Sequence, residues 1–281
     1  MSTITTHEAE QVSAANASGL TPVVLVHGLW LLAESWDGWR PRLEAAGYAP
    51  VAVDWPGDAA TVDAARAGGD SLAGVGVPDV VDHVAEVIAT LDRKPVLVGH
   101  SFGGLIVQIL AGRGLGVATA SIDPAPAKGV LPLPFSALKA SFPVLGNPAN
   151  RTRTVLLTFD QFRYGFANAV TEDEARELYD AHHVPAPGRP LFQAAFANLN
   201  LSTATKADRH HPERGPMLVI TGGSDNIVPF ALANAAYKRQ RANKGAVTEL
   251  VEIPGVGHSL VIDSHQGEVV DAVLDFLSTA L

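Results

Sequence analysis

The sequence predicts an α/β fold in which a mostly parallel, twisted sheet is flanked by helices. Short apolar runs that favour strands alternate with segments of helical spacing. Nearly continuous apolar runs are typical of strands that are buried on both faces of a parallel sheet. The 281 residues, 47% of them hydrophobic, suffice for one large domain core. The expected strands lie at 21–26, 49–54, 96–99, 116–122, 216–221 and 247–253.

The N-terminal third is expected to contain two helices besides its strands. Ser35 is a candidate N-cap of the first helix, and Gly47 is a candidate stop. In the second helix the valines recur at helical spacing, so that they share one face. The expected elements are a flexible N-terminal segment at 1–20, a helix at 34–46, a surface loop at 59–77 and a helix at 80–91.

The segment 125–211 interrupts this alternation. Prolines cluster in its first part and aromatic residues follow them. We therefore divide the chain into a core, made of 21–124 and 212–281, and an insertion at 125–211. A last helix is expected at 266–277.

The turn Gly99-His100-Ser101-Phe102-Gly103 is the strongest indication of chemistry. It has the pattern Gly-x-Ser-x-Gly and lies between an apolar strand and a helix-like stretch, which is the context of a nucleophile elbow. The two glycines carry no Cβ, so the strand and the helix can approach closely. Ser101 would then stand at the positive end of a helix, where an oxyanion is favoured.

A second turn predicts an oxyanion hole. His27-Gly28-Leu29-Trp30 follows the first strand. An oxyanion hole needs two backbone N–H donors, one of them from the residue after the nucleophile. Phe102 and Leu29 are the expected donors. We interpret His27 as a structural residue that braces this loop, because it precedes the serine.

The acid and the base are expected after the last two strands. Asp225 follows the strand at 216–221, and His258 lies in the glycine-rich loop after the strand at 247–253. Ser101, Asp225, His258 is the chain order of one family of serine hydrolases and differs from the orders in trypsin and subtilisin. Asp123 is a rival acid, because it also follows a strand. A proline comes next, which favours a role in anchoring the insertion.

These landmarks resemble the α/β-hydrolase fold superfamily from about residue 21 to the C-terminus. Within it the chain is similar to the serine esterase and cofactor-free haloperoxidase-like branches. The resemblance implies that the insertion is a cap over the active site, and that it follows the strand ending near Asp123. Dehalogenases and epoxide hydrolases of this fold use Asp at the elbow, so Ser101 argues against both. The matching pieces are His27-Gly28, Gly99–Gly103, Gly222–Asp225 and Gly257-His258.

The expected activity is the cleavage of carboxylic esters of small to medium hydrophobic substrates through an acyl-enzyme. The same three residues also serve lactone hydrolysis, perhydrolysis, acyl transfer and hydroxynitrile cleavage in this superfamily, and the motifs do not separate these reactions. A non-catalytic binding protein is a further alternative. Apolar side chains would line the substrate pocket. The candidates are Trp30, Phe135, Phe142, Phe162 and Phe166.

Composition restricts cofactors and partners. The formal net charge of −9 argues against a nucleic-acid partner, and the absence of cysteine excludes a catalytic thiol or a thiolate metal site. The histidine pairs 182–183 and 210–211 are adjacent in sequence, so their side chains diverge, and we expect no metal and no cofactor. Residues 1–20 lack the pattern of a signal peptide, and no apolar run is long enough to span a membrane. We expect a cytoplasmic monomer or homodimer that acts on a small molecule.

Overall fold

The computed structural model describes residues 4–199 and 203–281. Within these ranges, six strands form one sheet in the order β2-β1-β3-β4-β7-β8, and every neighbouring pair is parallel. A separate antiparallel pair, β5 and β6, lies in the insertion. The strands are β1 (Thr21–Val26), β2 (Tyr48–Val53), β3 (Val96–His100), β4 (Ala118–Ile122), β5 (Thr154–Val155), β6 (Ala186–Pro187), β7 (Met217–Gly222) and β8 (Thr248–Ile253).

Helices connect the strands and account for much of the insertion. The α-helices are α1 (Thr6–Ser18), α2 (Arg40–Ala45), α3 (Val62–Ala67), α4 (Val77–Ile88), α5 (Phe102–Ala111), α6 (Phe135–Leu145), α7 (Phe159–Gly165), α8 (Glu172–His182), α9 (Arg189–Ala195), α10 (Phe230–Gln240) and α11 (Gln266–Ala280). Short 3-10 helices lie at Ala33–Trp36, Pro148–Thr152 and Ala197–Leu199. No helix of the described residues combines the length and the apolar character that crossing a membrane requires.

The core lies between the parallel sheet and its helices. All residues of β3 and β4 are buried, as the continuous apolar runs predicted. All ten residues of α5 are buried too. This helix approaches the sheet so closely that a Cβ on Gly103 would lie 2.0 Å from the carbonyl oxygen of Val26. A side chain at this position is therefore incompatible with the observed packing.

The expectation of a flexible segment at 1–20 is wrong for the residues that form α1. Thr5 and Glu8 make a reciprocal capping box at its N-terminus. The side chain of Gln11 accepts a hydrogen bond from the Ala52 N–H and donates one to the Ala52 carbonyl. Since β2 is the edge strand of the sheet, α1 covers backbone groups that would otherwise be unpaired.

The expected helix at 34–46 is also wrong as a continuous element. The chain forms a 3-10 turn that contains Ser35, then begins α2 at Arg40 with Pro41 in its first turn. Trp36 and Trp39 are wholly buried and pack edge to face with ring centroids 4.9 Å apart, which fixes the break between the two helices. The expected loop at 59–77 contains the short helix α3, capped by the Thr61 hydroxyl.

Candidate active site

The sheet topology gathers the candidate residues at one edge. Ser101 follows β3, Asp123 follows β4, Asp225 follows β7 and His258 follows β8, and these strands are consecutive neighbours. In a parallel sheet, residues after the carboxyl ends of adjacent strands lie side by side. The loop that begins at His27 follows β1, on the other side of β3.

Ser101 adopts a backbone conformation that few residues with a side chain tolerate. Its φ is 57° and its ψ is −119°. The turn is compressed on both sides, because a Cβ on Gly99 would lie 2.3 Å from the carbonyl oxygen of Gly103. Strain of this kind costs on the order of 1–3 kcal/mol and is concentrated at functional sites. The result is a side chain that is presented at the start of α5, as expected for a nucleophile elbow.

The two expected oxyanion donors belong to two segments next to Ser101, the start of α5 and the loop after β1. Phe102 is the first residue of α5, so its N–H is one of those left without a partner inside the helix. Leu29 is buried in the loop after β1. That loop touches the nucleophile, since a Cβ on Gly28 would lie 2.7 Å from the Ser101 Cβ and 3.3 Å from its Oγ.

His27 braces this loop, as its position before the serine suggested. Its Nε2 lies 3.0 Å from the Asp58 carboxylate, and its Nδ1 lies 2.8 Å from the Gly28 carbonyl. The indole N–H of Trp55 donates to the His27 carbonyl. Burial alone would lower the pKa of His27, but the charge and hydrogen bond of Asp58, the hydrogen bond to the Gly28 carbonyl and the charge of Asp54 together outweigh it, and the pKa is raised. His27 therefore holds the loop in place through groups away from Ser101.

Asp225, and not Asp123, makes the hydrogen bond to His258. The His258 Nδ1 lies 2.6 Å from Asp225 Oδ2. The other oxygen, Oδ1, accepts from the N–H groups of Ile227 at 2.6 Å and Val228 at 2.9 Å. These contacts fix the orientation of the carboxylate toward the imidazole. This arrangement selects the tautomer with a proton on Nδ1.

The second imidazole nitrogen of His258 is left available. Among the described residues its Nε2 is buried and has no hydrogen-bond partner. The ring packs against His100, with centroids 4.6 Å apart, and edge to face against Phe166, at 4.9 Å. Burial, and the positive charge that His258 can carry, lower the pKa of His100 well below its ordinary value. His100 is thus a neutral packing partner of the His258 ring.

Asp123 belongs to the same cluster, although the sequence suggested an anchoring role. It is completely buried and its φ is 38°. One ligand-type atom from each of Asp123, Asp225 and His258 lies within 4.8 Å of the other two. These donors could in principle hold a metal ion. Two ligands of one ion usually lie about 3 Å apart or more, so the 2.6 Å contact between His258 and Asp225 is a hydrogen bond.

The candidate pocket residues separate into two groups. Trp30 and Phe166 pack edge to face at 5.9 Å, and Phe162 stacks on Phe166 at 5.2 Å. Trp30 also connects the oxyanion loop to the insertion, because its indole N–H donates to the Val155 carbonyl. Phe162 is wholly buried and packs against Phe166.

Phe135 and Phe142 make up the second group of candidate pocket residues. Both lie on α6, and they are 81% and 70% exposed. Their spacing of seven residues places them on the same face of the helix. This face points to solvent in the structure, and the expectation that these two side chains line a substrate pocket stays a prediction.

Asp58 was missed by the sequence interpretation, which named Asp123 as a rival acid but favoured an anchoring role for it. Asp58 had one available signal, since Trp55-Pro56-Gly57-Asp58 is a turn after a strand that ends at the site edge. The position of Asp123 follows from the strand order, because β4 lies between β3 and β7. That order places the residue after β4 beside both Ser101 and Asp225.

Comparison with known proteins places the chain in a family. A model of the Alpha/beta hydrolase family matches residues 23–272. Polyneuridine aldehyde esterase of Rauvolfia serpentina is 41% identical over 95 residues, which are 33% of this chain and 34% of that protein. The matched region therefore spans about a third of the length of this curated relative.

Solved structures agree on the fold. A monoacylglycerol lipase from Paleococcus ferrophilus has a TM-score of 0.65 at 22% identity, covering 92% of this chain and 95% of that one. A bromoperoxidase from Bacillus anthracis has a TM-score of 0.65 at 22% identity, covering 92% of each chain. Likeness at this identity shows the fold, and it confirms the predicted fold class. With a family model that matches most of its length, the chain belongs to the alpha/beta hydrolase family.

Proposed function

We propose that the protein is a serine hydrolase that cleaves carboxylic esters of small to medium hydrophobic substrates. Ser101 is the nucleophile, His258 the general base and acid, and Asp225 the orienting acid. Leu29 and Phe102 supply the oxyanion donors. The esterase relative, which matches a third of this chain, supports ester cleavage as the reaction class.

The proposed mechanism has two halves with balanced proton transfers. His258 Nε2 accepts the Ser101 proton as Oγ attacks the ester carbonyl carbon, and the oxyanion lies against the Leu29 and Phe102 amides. The imidazolium then donates that proton to the leaving alcohol, which leaves an acyl group on Ser101. In the second half His258 Nε2 takes a proton from water as the water oxygen attacks the acyl carbon. The imidazolium then returns that proton to Ser101 Oγ as the bond between Oγ and the acyl carbon breaks and the carboxylic acid leaves.

One observation carries this proposal. The hydrogen bond between His258 Nδ1 and Asp225 holds the proton on Nδ1, so that the unpartnered Nε2 is free to act as a base, and the His258 ring packs against His100, the residue before Ser101. A serine hydroxyl is a weak nucleophile without such a base. The buried rings of Trp30 and Phe166 provide an apolar surface next to His258 for a hydrophobic substrate.

The proposal is tested with a panel of p-nitrophenyl esters from acetate to palmitate. We expect the wild type to hydrolyse the shorter esters and Ser101→Ala to lose this turnover. Ser278→Ala is the matched control, because the Ser278 hydroxyl donates within α11. Absence of ester turnover by folded wild type would contradict the proposal and direct attention to lactones, cyanohydrins or simple binding.

A further inference from the structure

Asp123 is a buried acidic residue that takes no part in the mechanism proposed above. Because β4 lies between β3 and β7, the residue that follows β4 is placed between the nucleophile turn and the Asp225 loop. The Asp123 backbone N–H donates to the Ile220 carbonyl of β7, and the Ala125 N–H donates to the Ser101 carbonyl. Both neighbouring loops are thus tied to this short segment.

The two carboxyl oxygens of Asp123 differ in their hydrogen bonding. Oδ1 accepts a 3.0 Å hydrogen bond from the Gly222 N–H, at the end of β7. Among the described residues, Oδ2 is buried and has no hydrogen-bond partner of good geometry. The Thr221 hydroxyl lies close to the carboxyl group and, as a donor, opposes the rise in the pKa of Asp123, but burial and Asp225 outweigh it. A carboxylate oxygen in that position would be an unpaired buried charge, whereas a protonated oxygen would be a donor in search of an acceptor.

An acceptor is present in the Asp225 carboxylate, which lies in the same cluster. The Asp225 carboxylate already accepts hydrogen bonds from two backbone N–H groups and lies 2.6 Å from His258 Nδ1, so its oxygens are placed as acceptors. Two carboxylates at this separation in a buried site do not both ionise readily. Burial raises the pKa of Asp123 well above its ordinary value, and the charge of Asp225 raises it further.

We propose that Asp123 is a neutral positioning residue whose Oδ2–H donates a hydrogen bond to the Asp225 carboxylate. The bond fixes Asp225 from the side opposite the loop amides and withdraws charge from the carboxylate that faces His258. Asp123 touches no substrate, and it acts on the reaction through Asp225. The expected effect of Asp123 on the reaction rate rests on the proposed function, whereas the hydrogen bond between Asp123 and Asp225 does not.

Replacement by asparagine provides a sharp test, because the two protonation states predict opposite results. Asp123→Asn retains a neutral donor in the same shape, and asparagine tolerates the positive φ of 38°. If Asp123 is neutral, this variant preserves the charge near His258. If Asp123 is ionised, the same variant removes a negative charge, and the imidazolium of His258 becomes harder to form.

The first readout needs no substrate, so it is independent of the proposed esterase activity. The titration of the His258 imidazole is followed by NMR, with assignment by comparison with His258→Gln. The ionisable groups that interact with this cluster are Asp225, His100 and, through His100, His27. We expect the midpoint to be unchanged in Asp123→Asn and to rise by roughly half a pH unit or more in Asp123→Ala, where Asp225 loses a donor.

A matched control separates this effect from a general loss of buried carboxyl groups. Asp54 also follows a strand, at the same edge of the sheet, and burial raises its pKa, but the groups that act on it are Glu8, Asp58, His27 and Thr5, and neither Asp225 nor His258 is among them. Asp54→Asn is expected to leave the His258 midpoint in place. A lower midpoint in Asp123→Asn, or equal midpoints in wild type and Asp123→Ala, would overturn the proposal.

Kinetics supply the second readout. In ester hydrolysis we expect Asp123→Asn to keep kcat within about threefold, and Asp123→Ala to lower kcat by about tenfold or more with little change in KM. The acid limb of the rate profile should move to higher pH in Asp123→Ala alone. A loss of kcat in Asp123→Asn as large as that in Asp123→Ala would contradict a neutral donor. Thermal unfolding of each variant identifies any that do not fold.

Discussion

At the scale of single residues, the site depends on side-chain atoms that are held in place by specific hydrogen bonds. Both oxygens of Asp225 are committed, Oδ1 to the loop amides and Oδ2 to His258. The two oxygens of this carboxylate are therefore not interchangeable. The backbone conformation of Ser101 is likewise imposed by the close approach of Gly99 and Gly103.

Asp225→Asn is predicted to lower kcat by roughly 10⁴-fold without loss of the fold. The loop amides will hold the asparagine carbonyl oxygen in the place of Oδ1, so its NH2 group will face His258. The imidazole must then accept at Nδ1 and carry its proton on Nε2, where it cannot serve as a base. Steady-state ester hydrolysis measures the loss. Asp275→Asn, on the exposed side of α11, is the control, and equal activity in both variants would rule out this role.

At the scale of elements, α1 is attached to the sheet by one buried carboxylate. Glu8 Oε1 lies 2.8 Å from His83 Nε2 and accepts from the Asp54 N–H at 3.1 Å, while Oε2 accepts from the Thr5 N–H. Burial alone would raise the pKa of Glu8, but these hydrogen bonds and the positive charge of His83 outweigh it and the pKa is lowered. Glu8 thus connects α1, the end of β2 and α4.

This connection predicts how stability depends on pH. A carboxyl group with a lowered pKa stabilises the fold fully above its ordinary value of 4.5, and this stabilisation is lost as the pH falls through the folded value. We expect Glu8→Gln to lower the free energy of unfolding by about 1–3 kcal/mol at pH 7. The gap from wild type should narrow below pH 4.5.

Urea unfolding from pH 7 to pH 3 measures this gap. Glu10→Gln, an exposed position on the same helix, is the control and should change stability by less than about 0.5 kcal/mol. A gap between Glu8→Gln and wild type that is the same at every pH would show that the Glu8 charge makes no contribution.

At the scale of the whole molecule, the alternation of apolar strands and helices was enough to predict the sheet, and Gly-x-Ser-x-Gly identified Ser101 as the candidate nucleophile. The packing of α1 and the cluster around Asp123 depend on tertiary contacts. Glu8 and Gln11 make α1 a well-packed helix although its sequence is polar, and the Thr5-x-x-Glu8 capping box was its one local signal. The cluster around Asp123 depends on strand order, which local spacing does not contain.

The exposed aromatic residues of α6 also show that composition alone does not predict which side chains lie at the site. These residues have the composition of a pocket wall, but the phenylalanine of the insertion that packs against His258 is Phe166, which also contacts Trp30. Phe135 and Phe142 are left facing solvent. Composition predicted apolar material in the insertion, and only the packing shows which part of it lies beside His258.

The most direct test of the central claim is to trap the acyl group on the enzyme. Wild type is mixed with excess p-nitrophenyl acetate, quenched in acid within milliseconds, and examined by intact mass and peptide mapping. We predict the added mass of one acetyl group, located on Ser101 and absent from Ser101→Ala. Ester turnover without any acylated species, or with the acetyl group on another residue, would contradict the account.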